Sequence, residues 1–163
     1  MILAFAHPCL VVDDVELARS FYEKMFGFRV ISNEGWSENP LVDGAIGSRN
    51  SSSRGYMMAG HNCFLELFEF DAPAQQGPAP QELGPHERGI RHISFYVDDC
   101  RAEYQRCLEL GGQPLGAPAP PDSGLNAVYM RDPSGNIIEL CEVPSPEEEP
   151  TLLPGIARLN EDN

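Results

Sequence analysis

Positive charge is scarce in this chain: 11 Lys and Arg stand against 25 Asp and Glu, a formal charge of −14 over 163 residues. Such a balance repels phosphate backbones and anionic membrane surfaces, and no Lys/Arg cluster offsets it, so neither nucleic acid nor a membrane is expected as a partner. Long apolar runs are missing as well. Nothing approaches the ~20 residues of a membrane span, and the opening Met1-Ile2-Leu3-Ala4-Phe5-Ala6 has no basic stretch ahead of a full apolar one, so a secretory leader is not expected. Cysteine occurs five times, at Cys9, Cys63, Cys100, Cys107 and Cys141, an odd number without a Cys-x-x-Cys pair. That pattern reads as reduced thiols in a cytoplasm. The length suffices for one sizeable core but not for two ordinary independent domains.

What the chain does contain is a repeat. His7-Pro8-Cys9-Leu10-Val11-Val12-Asp13-Asp14 returns as His92-Ile93-Ser94-Phe95-Tyr96-Val97-Asp98-Asp99, with the His and the Val-Asp-Asp displaced by the same 85 residues (7 to 92, 12 to 97). The offset persists to Gly27 and Gly112. A second echo, displaced by 73 residues (66 to 139), links Leu65-Glu66-Leu67-Phe68-Glu69 with Ile138-Glu139-Leu140-Cys141-Glu142. One module is therefore written twice, over residues 1–70 and 89–143, with a linker at 71–88, all within a single domain of residues 1–143.

In chain order, Ala4 to Val12 reads as a buried strand. Asp13 or Asp14 then caps a helix whose Val15, Ala18, Phe21, Tyr22, Met25 and Phe26 form an amphipathic stripe, and Gly27 supplies the left-handed terminator. Phe28 to Ser32 resumes as strand. Asn33 to Arg54, rich in Gly, Ser and Asn and holding the lone Trp36, reads as a long loop. Tyr56 to Ala59 and Cys63 to Phe70 read as paired strands. Asp71 to Pro85 has the Pro, Gly and Gln content of a linker. The second module opens near Gly89, uses Asp98 or Asp99 to start a helix with Cys100, Tyr104, Cys107 and Leu108 inward, and ends it at Gly111-Gly112. Ala127 to Met130 and Ile137 to Val143 follow as strands joined by Asp132-Pro133-Ser134-Gly135, which has Pro and Gly where a tight turn needs them. Residues 144–163 read as an acidic, Pro-rich tail outside the core, with Leu152, Leu153 and Ile156 as residues able to dock on it.

Period two places His7 on one face with Cys9, His92 with Ser94 and Tyr96, Glu66 with Phe64 and Phe68, and Glu139 with Ile137 and Cys141. With the helices on the opposite faces, two His and two Glu share a partly apolar environment, where an unpaired carboxylate is costly. A cation or a hydrogen-bonded network answers that cost, and imidazole with carboxylate suits a divalent first-row metal better than Ca or Mg. Glu69 and Glu142 fall on the opposite face near strand ends and read as solvated. His61 and His86 read as surface residues, and the cysteines as packing groups, with Cys9 and Cys141 near the shared face.

The His…Glu…His…Glu order, the His-x4-Val-Asp-Asp openings and the Asp-Pro-x-Gly-Asn-x-x-Glu-Leu ending resemble the vicinal oxygen chelate superfamily, which includes glyoxalase I, extradiol dioxygenases and the fosfomycin and bleomycin resistance proteins. The resemblance runs from Ile2 to Val143. It implies an α+β fold of two paired βαβββ modules forming a half-open barrel around one metal site, with His7, Glu66, His92 and Glu139 as ligands of one divalent ion: Ni, Zn, Co, Mn or Fe. A Glu in the second slot is most similar to glyoxalase I. That likeness implies a lyase or isomerase that moves a proton next to the carbonyl of a small-molecule substrate through a metal-bound enediolate or enolate, with Glu139 or Glu66 as base. An extradiol dioxygenase and a drug-sequestering module of bleomycin-resistance type are the alternatives. Arg54, Arg91, Asn126 and Tyr129 are candidate rim groups. A homodimer is expected, because paired modules can close a site within one chain or across two.

Overall fold

The computed structural model describes residues 1–143, and the expected acidic tail, with Leu152, Leu153 and Ile156, lies outside the described residues. The protein is α+β, and its chain parts into two compact units at Gly77/Pro78. The first unit runs β1 (Cys9–Val11), α1 (Val15–Phe26), β2 (Arg29–Trp36), α2 (Pro40–Ile46), β3 (Ser52–Gly60) and β4 (Cys63–Ala72). The second runs β5 (His92–Val97), α3 (Cys100–Glu109), β6 (Gln113–Pro114), β7 (Ala127–Arg131) and β8 (Ile137–Glu142). Each unit holds an open, mixed four-stranded sheet, ordered β1-β4-β3-β2 in one and β5-β8-β7-β6 in the other. The first strand of each module pairs parallel with the last, and the other neighbours are antiparallel.

The helices form where the stripe and caps call for them. Asp14 accepts from Glu16 N and Leu17 N, Gly27 takes φ 69° beyond the last turn, and the buried residues of α1 are the six of the stripe. They pack on β3 and β4, where Met58, Leu65 and Leu67 are buried. Full burial of one such side chain contributes roughly 1.5–3 kcal/mol, so this interface stabilises the first unit by several times that amount. The second unit repeats the design: Asp99 caps α3, which buries Cys100, Tyr104 and Cys107 against a sheet face carrying Val128, Met130, Ile138 and Leu140.

Three stretches depart from the sequence reading. The strand expected over Ala4 to Val12 is confined to Cys9–Val11, and Met1, Ile2, Leu3 and Phe5 are exposed. Register explains it: Cys9 faces Glu66, so residues before Ala6 would run past the start of β4 at Cys63 and have no strand to pair with. The loop expected over Asn33 to Arg54 is largely ordered. Asn33 pairs with Tyr56 and Gly35 with Arg54, and Asn39 caps α2 with Pro40 in its first turn, so pairing and capping override the weak strand propensity of Asn, Gly and Ser. In the linker, Asp71 and Ala72 complete β4 and Pro80–Glu82 forms a 3₁₀ turn. That turn is anchored by buried Arg131, whose guanidinium donates to Pro80 O at 3.0 Å and Leu83 O at 2.8 Å.

Candidate functional site

In the first unit the parallel ladder between β1 and β4 sets the geometry. Cys9 stands opposite Glu66, and the Glu66 N–H donates to Pro8 O at 3.0 Å. His7 is therefore two residues up the chain from Glu66's partner, on the face away from α1, and its Nε2 lies 3.4 Å from Glu66 Oε2. The second unit repeats the relationship. Ser94 stands opposite Glu139, His92 is two residues before Ser94, and its Nε2 lies 3.5 Å from Glu139 Oε2. Both carboxylates are largely shielded, at 17% and 20% side-chain exposure, while both imidazoles are about one-third exposed.

Each pair brings an imidazole nitrogen and a carboxylate oxygen to the separation that one small cation can bridge. Two ligands about 2.1 Å from a metal sit roughly 3.0–3.4 Å from each other at right-angled to tetrahedral geometry, so the first pair lies at the upper end of that range and the second just beyond it, and the donor chemistry is that of first-row divalent ions. The four predicted residues are thus brought together as two pairs, His7 with Glu66 and His92 with Glu139. Among the described residues, no three His, Cys, Asp or Glu side chains group as a metal-binding set.

The surroundings of the two pairs differ. Tyr129 faces Glu139 across β7 and β8, and its ring centroid lies 5.0 Å from that of His92. The residue facing Glu66 from β3 is Met57. Cys9 is exposed as a residue, yet desolvation of its sulfur and the neighbouring Glu66 carboxylate hold the thiol above its ordinary value, and burial followed by Glu139 raises Cys141. Both thiols stay protonated at neutral pH and offer no thiolate. Of the candidate rim groups, Arg54 is paired with Glu69 at 2.7 Å, Arg91 turns to Ile90 O at 3.0 Å, and Asn126 O accepts from Glu142 N at 2.6 Å. Of the four, Tyr129 makes a ring contact with a predicted ligand, His92.

Glu69 and Glu142 are not the solvated groups the alternation implied. Glu69 accepts the Val15 N–H and Glu142 the Cys100 N–H, each at 2.9 Å, so they complete the helix caps begun by Asp14 and Asp99. Strand alternation separated them from the metal-type face correctly, and the only sequence signal for their task is that both recur at the 73-residue offset.

Residues 4–140 match the family model of the Glyoxalase/Bleomycin resistance protein/Dioxygenase superfamily. A glyoxalase family protein from Bacillus cereus is similar at TM-score 0.76 and 19% identity, over 87% of this chain and 95% of that one. A second, from Enterococcus faecalis, is similar at TM-score 0.60 and 21% identity, over 85% and 97%. A mutant of the fosfomycin resistance protein FosX from Listeria monocytogenes, solved with Mn(II) and 1S,2S-dihydroxypropylphosphonic acid, is similar at TM-score 0.51 and 20% identity, over 91% and 98%. At these identities the likeness is one of fold. No curated protein matches the chain.

Proposed function

The chain belongs to the glyoxalase/bleomycin resistance protein/dioxygenase superfamily, and from that premise we propose that it is a metal-dependent, glyoxalase-like lyase or isomerase acting on a small carbonyl compound. The observation that carries the proposal is the double occurrence of one His–Glu geometry, at 3.4 and 3.5 Å, at corresponding positions of the two modules. Each pair joins an imidazole nitrogen to a largely shielded carboxylate, the donor types a first-row divalent ion takes.

His7, Glu66, His92 and Glu139 would hold one divalent ion of the Ni, Zn, Co, Mn or Fe group. When bound, such an ion supplies Lewis acidity at a substrate oxygen and so acidifies the neighbouring C–H. The chain supplies the rest. Glu139 or Glu66 removes the proton from the carbon beside the carbonyl and returns it to the adjacent carbon, a task that asks for a carboxylate within about 2.6–3.2 Å of the transferred proton's heavy atom. Partial exposure of both carboxylates, at 17% and 20% of their side-chain surface, lets the abstracted proton exchange with solvent before it is returned. His92, flanked by the Tyr129 ring, fixes the orientation of Glu139, and His7 does the same for Glu66. The working unit is a homodimer, in which exposed Met1, Ile2, Leu3 and Phe5 become buried.

The test is anaerobic exchange of the α-hydrogen with solvent deuterium across a panel of 2-oxo, hydroxycarbonyl and acyl-thioester compounds, run beside an oxygen electrode with catechols. Exchange indifferent to oxygen supports the proposal. Oxygen uptake without exchange supports a ring-cleaving dioxygenase instead, and silence in both with tight binding of an aromatic drug supports a sequestering module.

A further inference from the structure

On the face of the first sheet that carries His7 and Glu66, the next two residues of β4 with the same orientation are Phe68 and Phe70. Trp36, at the end of β2, meets both rings edge-on, with centroids 5.2 and 5.5 Å away, and the two Phe rings lie 6.0 Å apart. The cluster exists because β3 makes room for it. Gly55 faces Phe68 across the strands, and a Cβ there would collide with the Phe68 ring and the Leu67 carbonyl. The indole is also held: Trp36 Nε1 donates to Ser51 Oγ at 2.7 Å, and the Ser51 hydroxyl donates in turn to the Asp43 carboxylate. With its N–H satisfied, the indole presents apolar surface only.

We propose that Trp36, Phe68 and Phe70 form the recognition platform for an aryl group on the substrate, next to the carboxylate of Glu66. This rests on the catalytic reading above and names its substrate class: a neutral compound with an aromatic ring attached to the reacting carbonyl. Phe68 is two residues from Glu66, about 6.5 Å along the strand, so a ring on the platform sets its carbonyl substituent at the His7–Glu66 pair. Charge points the same way. The positions between Glu66 and Trp36 on this face, including Met57, Gly55 and Glu34, carry no cation, and the arginine on this face, Arg29, starts β2 at the opposite end. On these strands an anionic substituent would lie beside Glu34 and Glu66, whereas an aryl ring meets three aromatic neighbours.

The test is calorimetric titration of the metal-loaded full chain with 2-hydroxyacetophenone and with hydroxyacetone, which keeps the same hydroxyketone and replaces the ring by methyl. The platform predicts that the aryl ketone binds about tenfold or more tightly, that Phe68→Leu abolishes this preference, and that Ser51→Ala, which releases the indole, weakens the aryl ketone several-fold and leaves hydroxyacetone unchanged. Equal affinities in the unmodified protein, no binding of either ketone, or a preference that survives both Phe68→Leu and Trp36→Leu would overturn it. Deuterium exchange in the same samples separates the two proposals. An aryl preference without exchange supports the platform and overturns the catalytic reading, while exchange without an aryl preference does the reverse.

Discussion

Glu69 of β4 accepts the N–H of Val15 at 2.9 Å, and Glu142 of β8 accepts that of Cys100 at the same distance. Each carboxylate serves the first residue of its helix, while Asp14 and Asp99 serve the next two, so three of the four N–H groups that a helix start leaves unpaired are satisfied in both modules. The negative charge also opposes the positive end of the helix dipole. Glu69→Ala and Glu142→Ala are therefore each expected to lower stability by about 1 kcal/mol in urea denaturation, with metal content unchanged. A loss of metal in either variant would show that these carboxylates act on the site rather than on the helices.

Gly55 is the second structural lever. Ala at this position drives a methyl group into the Leu67 carbonyl and the Phe68 ring, and the carbonyl belongs to the central strand of the sheet, so it cannot yield as a flexible side chain would. Gly55→Ala is expected to cost roughly 1–3 kcal/mol by denaturant unfolding. Stability equal to that of the parent would mean that the strands separate there at little cost.

The acid–base assignment is tested by Glu139→Gln, which keeps an oxygen beside His92 and removes the base. Turnover is expected to fall by ~10²–10⁴-fold if Glu139 is the base, with much of the metal retained. Glu66→Gln identifies the other carboxylate by the same measure. Near-parental turnover in both variants would remove proton transfer by these residues from the account.

Assembly is tested by light scattering at micromolar protein. The proposal predicts twice the mass of the 18.0 kDa chain. A monomer mass with metal retained would confine the site to one chain.

Much of this fold was legible in the sequence where one element decides its own form. The stripe of α1 names the six residues that are buried, and the offset of 85 residues between His7 and His92 marks two strands of the same kind. The faces of His7, Glu66, His92 and Glu139 follow from alternation. What the sequence left hidden depends on partners distant along the chain. Glu69 becomes a cap only because β4 passes beside the start of α1. Asn33 and Gly35 become strand because Tyr56 and Arg54 lie opposite, against their own propensity. Trp36 reaches Phe68 and Phe70 only through the register of β2 on β3, which a bulge between Val30 and Ser32 shifts. The short helix α2 had a local signal, Asn39 followed by Pro40, but it was masked by the polar composition around it.

The central claim is that His7, Glu66, His92 and Glu139 hold one metal ion, and elemental analysis of protein purified without added metal tests it most directly. About one divalent first-row ion per chain is expected in the parent, and in His7→Ala and His92→Ala a loss of affinity at least as large as the ~10–100-fold seen when groups behind a ligand are changed. Full occupancy in both variants, or a parent protein without metal that takes up none from added Ni, Zn, Co, Mn or Fe(II), would contradict it.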